Sequence, residues 1–427
     1  MRSSRFLLIL LVLAPASLAA QGSSLFQPSL LTRSDVKQSL DSIDARASAI
    51  VDEWIKLVEI PAPSTKEQTR AAYIRAELQK LSLTELRTDE LGNVSAVRKG
   101  TGGGPTVVFA AHMDTVFPEG TDVTVKRDGD VLRGPGVGDD TSNLIATLEM
   151  FRALDRGSVK TSGDLIFLAT VQEELGLVGA KHWLEKSGYK PDMLIAVDLG
   201  SDAVWYGALR ITNYKFFYTS PGAHTMESRD GPSPAKAVSQ GIAAVNEIPL
   251  PPIASGLGTF KLPVINVGML GGGTVFNAVP REAWFTVDLR SLDTPTQSRL
   301  EKEVEAAATR VADREKVGFR MEKKTFLDFT QARPQAERLA SALVQTAVAT
   351  ANQFRKPGTP AIVPMDVGST DANTAIALGI PAVAVGAVTQ RFAHRLEENA
   401  DASSIVPGIK HLLALAVAVG GGSGARR

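Results

Sequence analysis

The stretch DLIFLATVQEELGLVGA, residues 164–180, runs an apolar segment straight into two adjacent acids, Glu173 and Glu174. A continuous apolar run of strand length reads as a strand buried on both faces. Two carboxylates at its end repel each other, and burial strengthens the repulsion. Something must compensate them, and the rest of the chain indicates what.

Three other runs have the same character: TVVFAA (106–111), MLIAV (193–197) and PAVAVGAV (381–388). Helical stretches such as SNLIATLEMFRALDR lie between several of them. The alternation implies an α/β fold with a mainly parallel sheet covered by helices. Upstream, residues 35–58 read as one helix, and Ser64 with Glu67 has capping-box spacing before a second.

The middle third differs in texture. NYKFFYTS, PVINVGML, EAWFTVDLRS and VGFRMEKKTF are strand-like, interleaved with the helical SPAKAVSQGIAAVNEI and TPTQSRLEKEVEAAATRV. In the latter, Leu300, Val304, Ala307, Ala308 and Val311 share one face. The order β-α-β-β-α-β predicts an inserted two-layer, ferredoxin-like domain at about residues 208–326. It separates a catalytic domain into 45–207 and 327–419, and residues 420–427 read as a flexible tail.

At 427 residues the chain is long enough for two domains. Lys plus Arg and Asp plus Glu are both 46, so nothing points to nucleic acid or an anionic membrane. The first 20 residues, with Arg2 and Arg5, an apolar core over 6–13 and small residues to Ala19 and Ala20, read as a secretory signal peptide. The expectation is an exported protein, periplasmic or extracellular, with no membrane span after cleavage. The chain has no cysteine, so any metal site must use His, Asp and Glu.

The apolar runs all end in polar, metal-competent residues. TVVFAA leads into His112-Met113-Asp114, LIFLATV into Gln172-Glu173-Glu174, MLIAV into Asp198, and PAVAVGAV through a short loop to His394. Asp139 and Asp140 precede the helix starting near Ser142. Parallel strands present their carboxyl ends at one sheet edge, where open α/β sheets build their sites. Two imidazoles, several carboxylates and no thiolate suit one or two divalent ions, Zn²⁺ foremost. Asp139, Glu174 and Asp198 bring three negative charges. Two Zn²⁺ and a bridging hydroxide balance them, whereas one ion leaves the cluster negative.

These residues resemble a known family. AAHMDTVFPEG, GPGVGDDTSN, TVQEELGLVGA, AVDLG, SPGAHT, NAVP, VDLRS and RFAHRLEE occur in the order of the dinuclear-zinc exopeptidases and deacylases, over residues 45–415. That group includes peptidase T, carnosinase-like dipeptidases, glutamate carboxypeptidase, acetylornithine deacetylase and succinyl-diaminopimelate desuccinylase. The resemblance implies that His112 and Asp198 bind one zinc and Glu174 and His394 the other, with Asp139 bridging. Co²⁺ or Mn²⁺ are alternatives. Asp114 would orient His112, and Glu173 would be the general base. His224, on the inserted domain, would reach the partner's site in a homodimer through this lid and dimerisation domain. Asn277 and Arg290 would bind the substrate's carbonyl and carboxylate, and GSTDAN (368–373) would line the substrate side. A cis peptide is implied at Asp139–Asp140.

Two features depart from or refine the pattern. Thr141-Ser142-Asn143 stands where the family often has Lys-Gly-Gly. Asp at 198 rather than Glu leans toward aminopeptidase or dipeptidase. For an isolated residue plainer readings exist: Arg290 could pair with Asp288 or Glu282, and His182 and His411 read as structural or surface. The expected function is hydrolysis of short peptides near a terminus. The alternatives are an N-acyl amino acid deacylase or carboxypeptidase, and, from another class, a non-catalytic exported binding protein.

Overall fold

A computed structural model describes residues 22–421. The segment expected to be a signal peptide and the end of the tail lie outside the described residues. Four parallel strands form the centre of a seven-stranded sheet, in the order Leu165–Thr170, Val107–His112, Met193–Val197, Ala382–Val385. The first two are buried along their whole length, as continuous apolar sequence requires of strands covered on both faces. The edges are antiparallel: Val94–Arg98 and Thr84–Thr88 on one side, Val204–Trp205 on the other. The sheet is therefore mixed, with antiparallel strands flanking the four parallel ones.

One face of the sheet is covered by Ala47–Val58, Thr141–Arg156, Ala342–Gln353 and Ile405–Val419, which share a single apolar core. The opposite face takes Val178–Lys186 and Ala372–Ala377. Phe151, on the central helix, lies edge-on to Phe109 and Phe167, so that helix is packed on the two strands that lead to the site.

Local expectations are corrected in three places. The helix predicted over 35–58 is two, Ser34–Ala45 and Ala47–Val58, broken at Arg46 (φ −106°, ψ 3°). Arg46 turns there to pair with the buried Glu149 at 3.0 Å. Ser64 and Glu67 do not form a capping box, and Gln68–Leu78 begins without a side-chain cap. The Ser64 hydroxyl donates instead to Asp114 (2.6 Å), and Glu67 accepts from the Thr65 and Gln172 N–H groups (3.0 and 3.1 Å). Finally, residues 402–419 are long and apolar enough to cross a membrane, a length of apolar chain not expected outside the N-terminus. In the fold this segment is mostly buried as a core helix packed on Thr141–Arg156 and Ala342–Gln353.

The middle third forms its own sheet, ordered Val264–Asn266, Glu282–Ser291, Arg210–Thr219, Gly318–Thr325, with Leu270–Gly272 also on the second strand. All neighbours are antiparallel. Helices Pro234–Asn246 and Thr294–Glu315 cover one face over Tyr214, Phe216, Tyr218 and Phe285. Leu300, Val304, Ala307, Ala308 and Val311 are all buried there. A Cβ at Gly241 would lie 2.8 Å from the Tyr218 hydroxyl and 2.9 Å from Phe285, so only glycine lets the first helix sit this close.

His411 lies on Ile405–Val419, and burial pushes its pKa down to about 4. The unfolded chain then binds more protons than the folded one between about pH 6.5 and 4, so stability falls as pH drops through that window. His411→Leu should remove about 3 kcal/mol of this pH dependence, measured as urea unfolding free energies at pH 7 and pH 4. Parallel pH profiles for the two proteins would contradict the assignment.

Candidate metal centre

Each central strand delivers a polar residue to the same edge. His112 is the last residue of its strand, and its Nδ1–H donates to the Asp114 carbonyl oxygen (3.0 Å). With Nδ1 engaged there, Nε2 is the ring nitrogen that faces the cluster. Nε2 lies 3.0 Å from Asp139 Oδ1. The other oxygen of the same carboxylate, Oδ2, lies 3.1 Å from His394 Nε2, which in turn is 3.2 Å from Glu174 Oε1. Asp139 therefore stands between two donor groups. Asp198 and Asp140 join His112 and Asp139 in one, and Glu174 and His394 join Asp139 in the other, with ligand atoms within 4.8 Å of one another in each group. His112, Glu173 and Glu174 form a third such group.

The loop before Asp139 is held from several directions. The buried Glu398 accepts from the N–H groups of Gly136 (2.8 Å), Gly138 (2.8 Å) and Asp139 (2.7 Å). Trp54 Nε1–H donates to the Val137 carbonyl (2.8 Å). A Cβ on Gly138 would fall 2.9 Å from Glu398 and closer still to Gln390, so glycine is required for this approach. The Asp139–Asp140 peptide is cis, as the resemblance implies. Asp140 accepts from the His112 N–H (3.0 Å) and from Asn143 (2.8 Å). Asn143 also donates to the Leu199 carbonyl (3.0 Å) and accepts from the Ala387 N–H (2.8 Å). Thr141 accepts from the buried Arg70 (3.1 Å). The residues that depart from Lys-Gly-Gly thus tie the helix start to neighbouring loops.

Asp114 plays the corresponding part under the paired acids. Its carboxylate accepts from the N–H groups of Glu173 (3.0 Å) and Glu174 (3.2 Å), besides the Ser64 hydroxyl. The GSTDAN segment is mostly buried. Asp371 accepts from the Thr170 hydroxyl (2.6 Å) and supports the strand end that leads to Glu173.

The electrostatics show a cluster short of positive charge. Burial, with Asp198 and other acids nearby, raises Glu173 well above the usual carboxyl range. Burial also pushes Asp198 up to about 7, with Asp139 and Asp371 adding to it. Asp139 goes the other way: despite burial, His112 and His394 hold its carboxyl well below the ordinary range. Its charge, with that of Glu174, lifts His394 to about 10. Glu174 Oε1 is buried and, beyond the 3.2 Å contact with His394, has no well-aligned hydrogen-bond partner. An orphaned carboxylate oxygen among nitrogen and oxygen donors is what a divalent cation would satisfy, so these residues fit one.

The remaining candidates lie elsewhere. His224 is exposed on the inserted domain, where its strand pairs with Ala278–Val279 and the Asn277 carbonyl accepts from the Thr225 N–H (3.1 Å). His224 and Asn277 are thus adjacent, but neither hydrogen-bonds the cluster. Arg290 pairs with Asp288 at 3.0 Å, the plainer of its two readings. Sequence reasoning missed Glu398, Asn143 and Ser64 as parts of the site and gave Asp140 no role of its own. For Glu398 a signal existed, since it lies in the quoted RFAHRLEE fragment four residues after His394.

The model of peptidase family M20/M25/M40 matches residues 108–418. The chain belongs to this family. It is an M20 hydrolase, which sets aside the reading as a non-catalytic binding protein, and M20 enzymes are metal-dependent. The chain is 26% identical over 354 residues to the uncharacterized protein YqjE of Bacillus subtilis, covering 78% of this chain and 88% of that protein. It is 26% identical over 184 residues to carboxypeptidase G2 of Pseudomonas sp., covering 38% and 44%. The structure of aminopeptidase PepT from Bacillus cereus superposes with a TM-score of 0.70 at 22% identity, covering 87% of this chain and 98% of that one. At that identity the last likeness shows the fold alone.

Glu398 holds the Asp139 loop without facing the donor groups itself. Glu398→Ala should weaken metal retention by about 10–100-fold, read by competition with a chelator, while circular dichroism stays unchanged. Unaltered retention would show that the loop keeps its shape without Glu398.

Proposed function

We propose that the protein is a two-zinc exopeptidase that hydrolyses amide bonds of short peptides near a terminus, of aminopeptidase or dipeptidase type. The observation that carries this is the division of Asp139: one carboxylate oxygen faces His112, the other faces His394. His112 and Asp198 would hold one ion, Glu174 and His394 the other, with Asp139 shared. Bound divalent cations supply Lewis acidity, which polarises a carbonyl and makes water a stronger acid.

The chain's own residues account for the proton transfers. Glu173 is buried beside His112 and Glu174, and its raised proton affinity suits a general base. Its carboxylate takes a proton from the attacking water and passes it to the leaving nitrogen. Asp114 fixes the backbone of Glu173 and Glu174, so the proton carrier and the ligand keep their relative positions. Asp198, which the resemblance ties to aminopeptidases and dipeptidases, favours a peptide with a free amino end. The likeness to carboxypeptidase G2 supports a second reading, cleavage at a free carboxyl end.

The enzyme is proposed to be exported and to act as a homodimer. His224 and Asn277 sit beside exposed apolar side chains, Met226, Met269, Leu270, Val275 and Phe276, with no bond to their own cluster. A second copy would cover that surface and receive His224.

Glu173→Gln should abolish turnover of a panel of free, N-acylated and C-amidated di- and tripeptides while leaving bound metal unchanged. Wild-type cleavage confined to N-acylated members would replace the exopeptidase reading with a deacylase. Mixing Glu173→Gln with His224→Ala, both inactive alone, should restore roughly a quarter of wild-type sites by random reassortment of subunits. No restoration would mean that each chain completes its own site.

A further inference from the structure

Apart from the metal centre, a cavity of about 290 Å³ lies between the ends of Ala342–Gln353 and Ile405–Val419. None of the residues in the donor groups lines it. At about 30 Å³ per small unit it holds on the order of ten non-hydrogen atoms. Ala351, Phe354, Pro407 and Gly408 give it an apolar lining.

His411 lines the cavity, is 4% exposed, and has no hydrogen-bond partner at either ring nitrogen. The Thr350 carbonyl is near the ring but not placed to accept from it. Each unmet buried group costs about 1–3 kcal/mol, and natural folds rarely leave both nitrogens of one imidazole so. Arg355 is also on the wall, and its Nε is buried without a partner. Among the described residues neither Arg355 nor the neighbouring Lys356 forms an ion pair. The acids of the wall are less available: Asp401 accepts from the Ser403 N–H (2.9 Å) and hydroxyl (2.7 Å), and Asp202 is exposed. Formal charge on the wall is balanced, Arg355 and Lys356 against Asp202 and Asp401, but the charged group with a buried donor left unpartnered is the Arg355 guanidinium. A guanidinium with free donors matches a carboxylate, and a neutral imidazole adds one donor beside it.

We propose that this cavity is a second binding site, for a small organic carboxylate with an apolar body, held by Arg355 and His411. The ligand would lie against Ser201 and Thr389, whose hydroxyls are 2.8 Å apart. Those residues belong to the loops that lead away from Asp198 and toward His394, so the site backs onto two arms of the metal centre without sharing its ligands.

The test is calorimetric titration of the metal-loaded enzyme with 4-methylpentanoate and with its neutral isostere 4-methylpentanamide. The carboxylate should bind saturably at millimolar concentration or below, and the amide should not. Arg355→Gln should weaken binding about tenfold or more without changing peptide turnover, whereas Arg290→Ala should leave it intact. The chain has only five histidines, so the His411 ring signals can be assigned by nuclear magnetic resonance through their loss in His411→Phe. Those signals should move on titration. Equal binding of the amide, full affinity in Arg355→Gln, absence of saturation, or shifts confined to other histidines would each overturn the proposal.

Discussion

Seven carboxyl groups gather at one end of the main sheet: Asp114, Asp139, Asp140, Glu173, Glu174, Asp198 and Asp371. At 4 Å, two like charges repel by about 4 kcal/mol even at an effective dielectric constant of 20. The two imidazoles present cannot neutralise that many acids. Much of the architecture around the edge answers this constraint, through divalent cations for some carboxylates and backbone N–H groups for others.

Five of these acids, together with Glu398, divide into two sets on that basis. Asp114, Asp140 and Glu398 accept from main-chain N–H groups of the segments that carry His112, Asp139, Glu173 and Glu174. Asp139, Glu174 and Asp198 instead point their oxygens at the imidazoles and at one another. Carboxylates of the first set thus shape the backbone that presents the second. Because the N–H donors are rigid, the donor groups are organised by the protein itself, as an efficient metal site requires.

The inserted domain obeys a different logic. Its core of stacked and tilted aromatic rings is closed by its own two helices. Contact with the metal loops is light: Lys324 donates to the Leu175 carbonyl (3.4 Å), and Phe326 lies against Gly176. The domain is joined to the rest of the chain by a second apolar cluster, in which Leu209, Ile211, Leu257 and Leu262 pack with Val367. Arg290 pairs with Asp288 two residues away on the same strand, so that contact is set by the strand itself.

Sequence by itself determined the strands that meet at the edge, because continuous apolar runs have few alternatives to a sheet covered on both sides. It also brought candidate donors together, since parallel strands must deliver the residues at their carboxyl ends to the same side. His112, Glu174, Asp198 and His394 were legible as candidates for that reason, whereas the choice among neighbouring acids, with Asp139 shared, came from the family resemblance. Only the tertiary structure decided the rest. Ser64 and Glu67 carry the spacing of a helix cap, yet the approach of Asp114 and Gln172 claims them for the site. Glu398 reads as one acid among several in a loop until the glycine turn at 136–138 closes on it. Periodicity reports what one segment buries, whereas a hydrogen bond between residues more than a hundred positions apart exists only once the chain has folded around both.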